Sequence, residues 1–244
     1  MKLQVLGSSS KGNCYFLTSG NETLIIEAGL KWKTIQQALS FDLSNVVGCL
    51  ISHEHKDHSK AVQDVMKSGI DIYCTEGTAQ AIGVTGHRIK PIKHLQQFKA
   101  GQFVVLPFPT QHDASEPCGF LIVSPKGEKL LFATDTFYIE NRFTGINYFM
   151  VESNYCKDIL CQNIEAGLIP AGMRDRLLQS HFELENVKRF LQANVSAETR
   201  KIILLHLSDG NSNAERMVRE ITELTGVETV VAEPGEIELD LFPF

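Results

Sequence analysis

Seven residues, Ser52-His53-Glu54-His55-Lys56-Asp57-His58, constrain this chain more than any other stretch. They follow the apolar run Val46 to Ile51 and precede a segment of helical periodicity. Three imidazoles and a carboxylate therefore lie within six residues, at a strand-to-helix turn. His53 and His55, at spacing two, point the same way while the backbone stays extended. Asp57 and His58 come after the bend and can face a second point. Neutral imidazole and carboxylate are the donors that Zn²⁺ and similar divalent ions take. The plain alternative is a solvated histidine-rich loop. Four ligand-type side chains at one strand end favour the metal reading.

Three further residues stand at the ends of other apolar runs, where loop-borne ligands belong. His112 follows Phe103 to Phe108 and the turn Pro109-Thr110-Gln111; Asp135 follows Leu130 to Ala133; His206 ends Ile202 to Leu205. Each alone is more often a capping or hydrogen-bonded residue than a ligand. Together they supply what a two-metal site still lacks.

The rest of the sequence sets the frame for that site. The chain has 244 residues, 43% of them hydrophobic and 21% charged, which fits one domain, residues 1–244, and excludes a disordered or fibrous chain. A chain of this length buries roughly 70–75% of its unfolded surface, so its core needs no covalent staples. With 29 acidic and 23 basic residues the net charge is −6, which argues against coating nucleic acid by bulk charge. No apolar run reaches the roughly 18 residues of a membrane span, so no membrane partner is expected. The N-terminal apolar run is too short for a signal peptide. Six scattered cysteines form no Cys-x-x-Cys pair. With no secretory signal they read as reduced, mostly core thiols in a cytoplasm. Nothing in the sequence sets an oligomeric state.

Short strand-like runs separated by Gly, Asn and Pro turns recur. Strands are expected near 2–6, 14–18, 23–27, 46–51 and 71–74, with helices near 31–40, after His58 up to Gly69, and at 76–82. Phe120 to Val123 and Lys129 to Phe132 flank the turn Ser124-Pro125-Lys126-Gly127 and suggest a hairpin. Ser180 and Glu183 read as a capping box for a helix with Leu184, Val187 and Leu191 on its apolar face. Ser212 and Glu215 repeat that signature before a helix ending at Gly226. Lys201 to Leu205 lies between them as a strand, and 236–240 reads as an alternating edge strand. Helices spread among strands suggest layered α/β structure.

The order His53-x-His55-x-Asp57-His58, then His112, Asp135 and His206, resembles the metallo-β-lactamase superfamily. Within it the chain is most similar to the YycJ/WalJ-like branch of phosphodiesterases and exonucleases. The matching stretches are Gly7 to Cys14, Glu27-Ala28-Gly29-Leu30, His112 to Phe120, Ala133-Thr134-Asp135-Thr136, Glu152-Ser153-Asn154 and His206 to Asn211. The resemblance covers essentially the whole chain. It implies an αββα sandwich, with two face-to-face mixed sheets, helices on the outer faces and metals at one open edge. It also implies two divalent ions, Zn²⁺ first and Mn²⁺ or Fe²⁺ as alternatives. His53, His55 and His112 would hold one; Asp57, His58 and His206 the other; Asp135 would bridge. Asp57 and Asp135 would orient a hydroxide shared by the two ions, and His181 would protonate the leaving oxygen. The implied activity is phosphodiester hydrolysis of DNA or RNA. The alternative is a small-molecule hydrolase acting on a lactone, thioester or cyclic phosphate.

The chain departs from the branch at Glu27, where Asp is usual, and at Phe137, Tyr155 and His181-Phe182-Glu183. These positions bear on substrate preference. Placed as the first residue after a Ser180 cap, His181 would feel a helix N-terminus, which disfavours imidazolium. Its plain reading is an exposed helix-start histidine with no task. The acid-free stretch Gly77 to His112 carries Arg88, Lys90, Lys93 and Lys99. It could track a phosphate backbone, but four charges over that length read better as an edge kept soluble by lysines. Gly7 to Gly12 lacks the Gly-Lys-Ser/Thr of a nucleotide loop and precedes a strand, so it reads as a tight connecting turn. The apolar tail Leu241-Phe242-Pro243-Phe244 is expected to dock on its own domain.

Overall fold

The structure, a computed structural model, describes residues 1–170 and 177–239. Its strands form two mixed seven-stranded sheets, and its described residues fall into two compact units. One unit comprises Met1–Phe108, Ala114–Lys129 and the described residues from Glu233 on; the other comprises Pro109–Asp113 and the described residues of Leu130–Ala232.

The first unit begins with a meander of β1 (Lys2–Gly7), β2 (Cys14–Ser19) and β3 (Glu22–Ile26), paired antiparallel. The chain then switches to parallel strands, and each parallel return needs a crossover segment. Helix α1 (Trp32–Ala38) leads to β4 (Val46–Leu50). Helices α2 (Lys56–Ser59) and α3 (Val62–Lys67) lead to β5 (Ile72–Thr75). Helix α4 (Glu76–Ile82) leads to β6 (Ile89–Ile92). These helices bury Ile35, Val62, Val65 and Ala79 in one cluster with Phe16, Ile25, Cys49, Ile51, Ile72 and Cys74 of the strands and their ends. Each fully buried aliphatic side chain of this kind contributes about 1.5–3 kcal/mol. The unit continues through β7 (Phe98–Ala100), β8 (Phe103–Pro109) and β9 (Cys118–Val123). Its edge strand is the expected alternating one near the C-terminus.

The second unit carries β10 (Lys129–Ala133), β11 (Tyr148–Glu152), α5 (Lys157–Glu165), α6 (Leu184–Asn194), β12 (Lys201–Leu205), α7 (Ala214–Thr225) and β13 (Glu228–Val231). Strands β10 to β13 pair in parallel. Strands β11 and β12 are buried at every position, so they read as continuous apolar runs rather than alternating ones. Strand β14 (Gly235–Glu238) closes the count and pairs with β1. The sheet orders are β14-β1-β2-β3-β4-β5-β6 and β13-β12-β11-β10-β9-β8-β7.

Most boundaries fall within two residues of the sequence expectation, but both capping assignments shift. Helix α6 is capped by Glu183, not Ser180: the Glu183 carboxylate accepts from the N–H groups of Glu185 and Asn186. Helix α7 is capped by Asn213, which accepts from Arg216 N–H, while Ser212 turns away to the carbonyl of Ser208. Acidic and amide side chains reach the same orphan N–H groups as serine, so a nearby competitor wins when the backbone favours it. The turn at 124–128 forms as expected, with Gly127 at φ 83°. Arg88 and Lys90 both pair with Asp71, at 2.9 and 3.6 Å, so half the acid-free cations are compensated from outside their stretch. That supports the plain reading of the stretch. The tail 241–244 lies outside the described residues. Among the described residues no helix is long and apolar enough to cross a membrane.

Candidate metal centre

In the first unit the imidazole segment leaves the C-terminal end of β4. The chain bends at Glu54, whose carboxylate turns away to accept from Ser115 N–H and Oγ–H at 2.8 and 2.9 Å. The rings of His53 and His55 lie 4.7 Å apart, and those of His53 and His58 4.2 Å apart. His55 opens α2, so Asp57 and His58 sit on its single turn.

Two other loops brace this segment. Asn13 N–H donates to the Asp57 carbonyl at 2.7 Å, and Ala28 N–H donates to the His58 carbonyl at 2.8 Å. A Cβ at Gly29 would collide with the Asp57 carbonyl oxygen, so only glycine permits that approach. The Asn13 amide donates to the carbonyls of Ser9 and Asp57, which fixes its NH₂ end, and that end faces His58 Nε2 at 3.1 Å. His58 Nε2 also lies 3.3 Å from Asp57 Oδ2, and its Nδ1 faces Glu27 Oε2 at 3.5 Å. Glu27 is wholly buried, and burial raises its carboxyl above the ordinary range despite His58 and Ser52.

In the second unit the donors come from the ends of three adjacent parallel strands. Glu152 closes β11 opposite Leu205 of β12, and His206 is the next residue of that strand's chain. Asp135 lies two residues past the Ala133–Val151 pair, so the register sets all three nearly level. Asp135 Oδ1 is 2.7 Å from His206 Nδ1, and Glu152 Oε1 is 3.2 Å from the same nitrogen. Glu152 Oε1 also meets His181 Nδ1 at 2.7 Å, while its Oε2 accepts from the N–H groups of Thr136 and Phe182. His112 Nδ1 lies 2.9 Å from the Ser180 carbonyl, which can only accept. The proton is therefore on Nδ1, and the lone pair on Nε2 faces Asp135 at 3.8 Å.

The ligand atoms of Asp135, Glu152, His181 and His206 lie within 4.8 Å of one another. Asp135 and Glu152 are 3% and 0% exposed, and two carboxylates so buried demand a cation. Burial would depress the His206 imidazolium, but Asp135 and Glu152 outweigh it and push its pKa up to about 10. Burial likewise opposes a charged His181, and Glu152 overcomes it to raise that group. Glu152 itself is held below the ordinary carboxyl value, because His181 and His206 outweigh its burial. Burial lowers His112, in keeping with a neutral ligand. The pocket draws protons to balance its acids, which is the electrostatic demand a divalent ion would meet. The donor set fits such an ion.

Backbone geometry marks the same places. Glu27, Asp135 and His206 adopt left-handed φ values of 64°, 45° and 52°, an unusual choice for residues other than glycine. Such strain persists only where surroundings enforce it. For His206 the enforcement includes its carbonyl, which accepts from the Asn154 amide at 2.8 Å.

Every metal-ligand residue named from sequence lies in one of these two clusters. The expected electrostatics of His181 do not hold. Its N–H bonds to the Leu177 carbonyl, so it follows a helical turn at 177–180 instead of opening a helix, and its charge is favoured, not opposed. Glu152 is the residue that sequence reasoning missed as a site group. Its signal was available: an ionisable residue ending a fully apolar strand, as with Asp135 and His206. The cysteines stay outside the chemistry. Those at 14, 49, 74, 118 and 156 are buried, and burial pushes Cys74 up to about 12.

A family model described as a beta-lactamase superfamily domain matches residues 23–207. The chain belongs to that superfamily, has the metallo-β-lactamase fold expected from its motif order, and is a metal-dependent hydrolase. Within the family it is YycJ/WalJ-like. It is 29% identical over 233 residues to the exodeoxyribonuclease YycJ of Bacillus anthracis, covering 88% of this chain and 85% of that protein. It is 28% identical over 246 residues to the exodeoxyribonuclease WalJ of Streptococcus pneumoniae, covering 93% and 87%. Among solved structures, the metallo-β-lactamase fold protein YhfI from Bacillus subtilis matches with a TM-score of 0.73 at 16% identity, covering 97% of this chain and 98% of that one. The short form of human tRNase Z matches with a TM-score of 0.68 at 15% identity, covering 99% and 100%. At those identities the structures speak for the fold alone.

Proposed function

We propose that this chain is a metal-dependent nuclease that hydrolyses phosphodiester bonds of DNA, acting as one hydrolase domain over residues 1–244. The observation that carries the reading is the buried carboxylate–imidazole cluster of Asp135, Glu152, His181 and His206 in a member of this superfamily. The names of the two curated relatives support DNA as the substrate.

In this proposal His53, His55 and His112 would hold one divalent ion and Asp57, His58 and His206 the other, with Asp135 as a ligand shared by both. Zn²⁺ suits this donor set first, with Mn²⁺ and Fe²⁺ as alternatives. When bound, such ions lower the pKa of water towards about 7 and neutralise charge developing on the phosphoryl group. Asp57 and Asp135 accept hydrogen bonds from the attacking water and orient it. His181, held at Nδ1 by Glu152 Oε1 and favoured as imidazolium, presents Nε2 as the proton donor to the departing oxygen. Glu152 is a positioning residue that also faces His206. Free thiols in all six cysteines suit a cytoplasmic location.

Purified protein supplied with Mn²⁺ or Zn²⁺ is expected to cleave 5′- or 3′-labelled DNA, and His112→Ala to abolish cleavage. Inactivity on every single- and double-stranded oligonucleotide, with turnover of a lactone, thioester or cyclic phosphate, would overturn the reading.

A further inference from the structure

Beyond the metal ligands, the second unit carries a groove of about 260 Å³. Its walls include Tyr138, Asn141, Arg142, Phe182, Asn186 and Arg189. We propose that this groove is the substrate-strand subsite: it stacks one unpaired base on Tyr138 while Arg142 and Arg189 take the flanking phosphates. The proposal rests on the nucleic-acid reading above and adds where the strand lies.

Position is the first argument. Tyr138 is three residues beyond Asp135, so their Cα atoms are within about 11 Å. The link between them is tied down: Thr136 Oγ1 donates to the Tyr138 carbonyl at 2.7 Å, and Thr136 N–H donates to Glu152 at 3.0 Å. Phe182, on the opposite wall, directly follows His181. The groove therefore adjoins the residues assigned to the phosphodiester.

Chemistry is the second argument. Tyr138 is 53% exposed, unusual for a large aromatic, and a solvent-facing ring is a stacking platform that accepts any base. Arg142 and Arg189 form no ion pair among the described residues, whereas Arg216 is engaged by both Asp158 and Glu220. Against these two guanidiniums the groove lining sets one acid, Glu140. The Asn141 side-chain oxygen is buried in the lining with no hydrogen-bond partner among the described residues. A donor from the ligand would satisfy it after a small movement. The segment is anchored by Phe143 N–H donating to Asn194 Oδ1 at 2.6 Å. A volume below the usual 300–1,000 Å³ of small-molecule sites suits one base. A larger cavity of about 700 Å³ shares Asn186 and Arg189, but its acids Asp158, Glu183 and Glu185 match its cations Lys157, Arg189 and Arg216, so it offers a polyanion no cationic excess.

The test is binding and cleavage of a fluorescently labelled 12-nucleotide thymidine single strand by the metal-loaded protein. Tyr138→Ala should weaken binding ~10-fold and raise KM rather than lower kcat, and Tyr138→Phe should retain wild-type affinity. Arg142→Ala with Arg189→Ala should reduce the slope of log affinity against log salt by about 1.4. Thermal melting of each variant checks that it folds. Wild-type cleavage of the strand with unchanged KM and salt slope in the variants would overturn the groove alone. Failure of the wild type to bind or cleave any strand would overturn the nucleic-acid reading, and the groove with it.

Discussion

In the first unit four donor side chains come from six consecutive residues, His53 to His58. In the second, His112, Asp135, Glu152, His181 and His206 come from five separate segments. The contiguous set needs bracing from outside, because one short turn cannot fix its own orientation. Asn13, Glu27, Ala28 and Gly29 supply it through backbone bonds, a buried carboxylate and a missing side chain. The dispersed set is positioned by the sheet itself, since parallel register levels the ends of β10, β11 and β12. Its difficulty is electrostatic: two buried carboxylates share one small space. A local motif thus spends its neighbours on geometry, and a strand-end cluster spends them on charge.

The largest expected effect falls on a dispersed donor. Asp135→Ala should reduce metal-dependent cleavage by more than about 100-fold, beyond what loss of an outer-shell partner costs. Retention of activity within tenfold would show that the strand-end cluster is not the working centre. Next comes the brace of the contiguous segment. Gly29→Ala should force the Asp57 backbone aside and destabilise the protein by on the order of 3 kcal/mol, read by denaturant unfolding. An unchanged midpoint would mean that the loop holds its own shape.

The two buried outer carboxylates offer a matched pair. Glu152→Gln should cost about 10–100-fold in metal affinity or activity, because Glu152 meets two imidazoles. Glu27→Gln, which touches only His58 among them, should sit at the lower end of that range. Equal losses would mean that the second imidazole contact of Glu152 adds nothing. A chelated sample gives a smaller, graded effect. His206 titrates at about 10 when folded, against an ordinary 6.5. A raised imidazole contributes stability fully below about 6.5 and loses it as pH climbs through about 10. The melting temperature of chelated protein should therefore fall between pH 7 and pH 10, and His206→Ala should flatten the fall. The smallest effect belongs to the basic stretch. Arg88→Ala removes a partly exposed pair with Asp71 and should change stability by less than about 1 kcal/mol and strand affinity not at all.

How much of this was readable beforehand follows the same contrast. The contiguous donors were legible because imidazole spacing and strand context are both local. His112, Asp135 and His206 were legible as polar ends of apolar runs, and their shared role came from the resemblance. Glu152 obeyed the same rule but sat inside a motif read only as a family marker. The electrostatics of His181 are not legible in the sequence, because Ser180 and Glu183 fit a capping box whose serine the backbone does not place at the cap. A side-chain competition settled by a shift of three residues at α6 and one at α7 leaves no trace in spacing. The bracing of Asp57 by Gly29 was equally hidden, since it joins residues 28 positions apart.

Metal stoichiometry tests the central claim most directly. Chelated protein, titrated with Zn²⁺ or Mn²⁺ and assayed for bound metal after desalting, should retain two ions per chain, and the His206→Ala variant fewer. No retained metal in the folded wild-type protein would contradict the account.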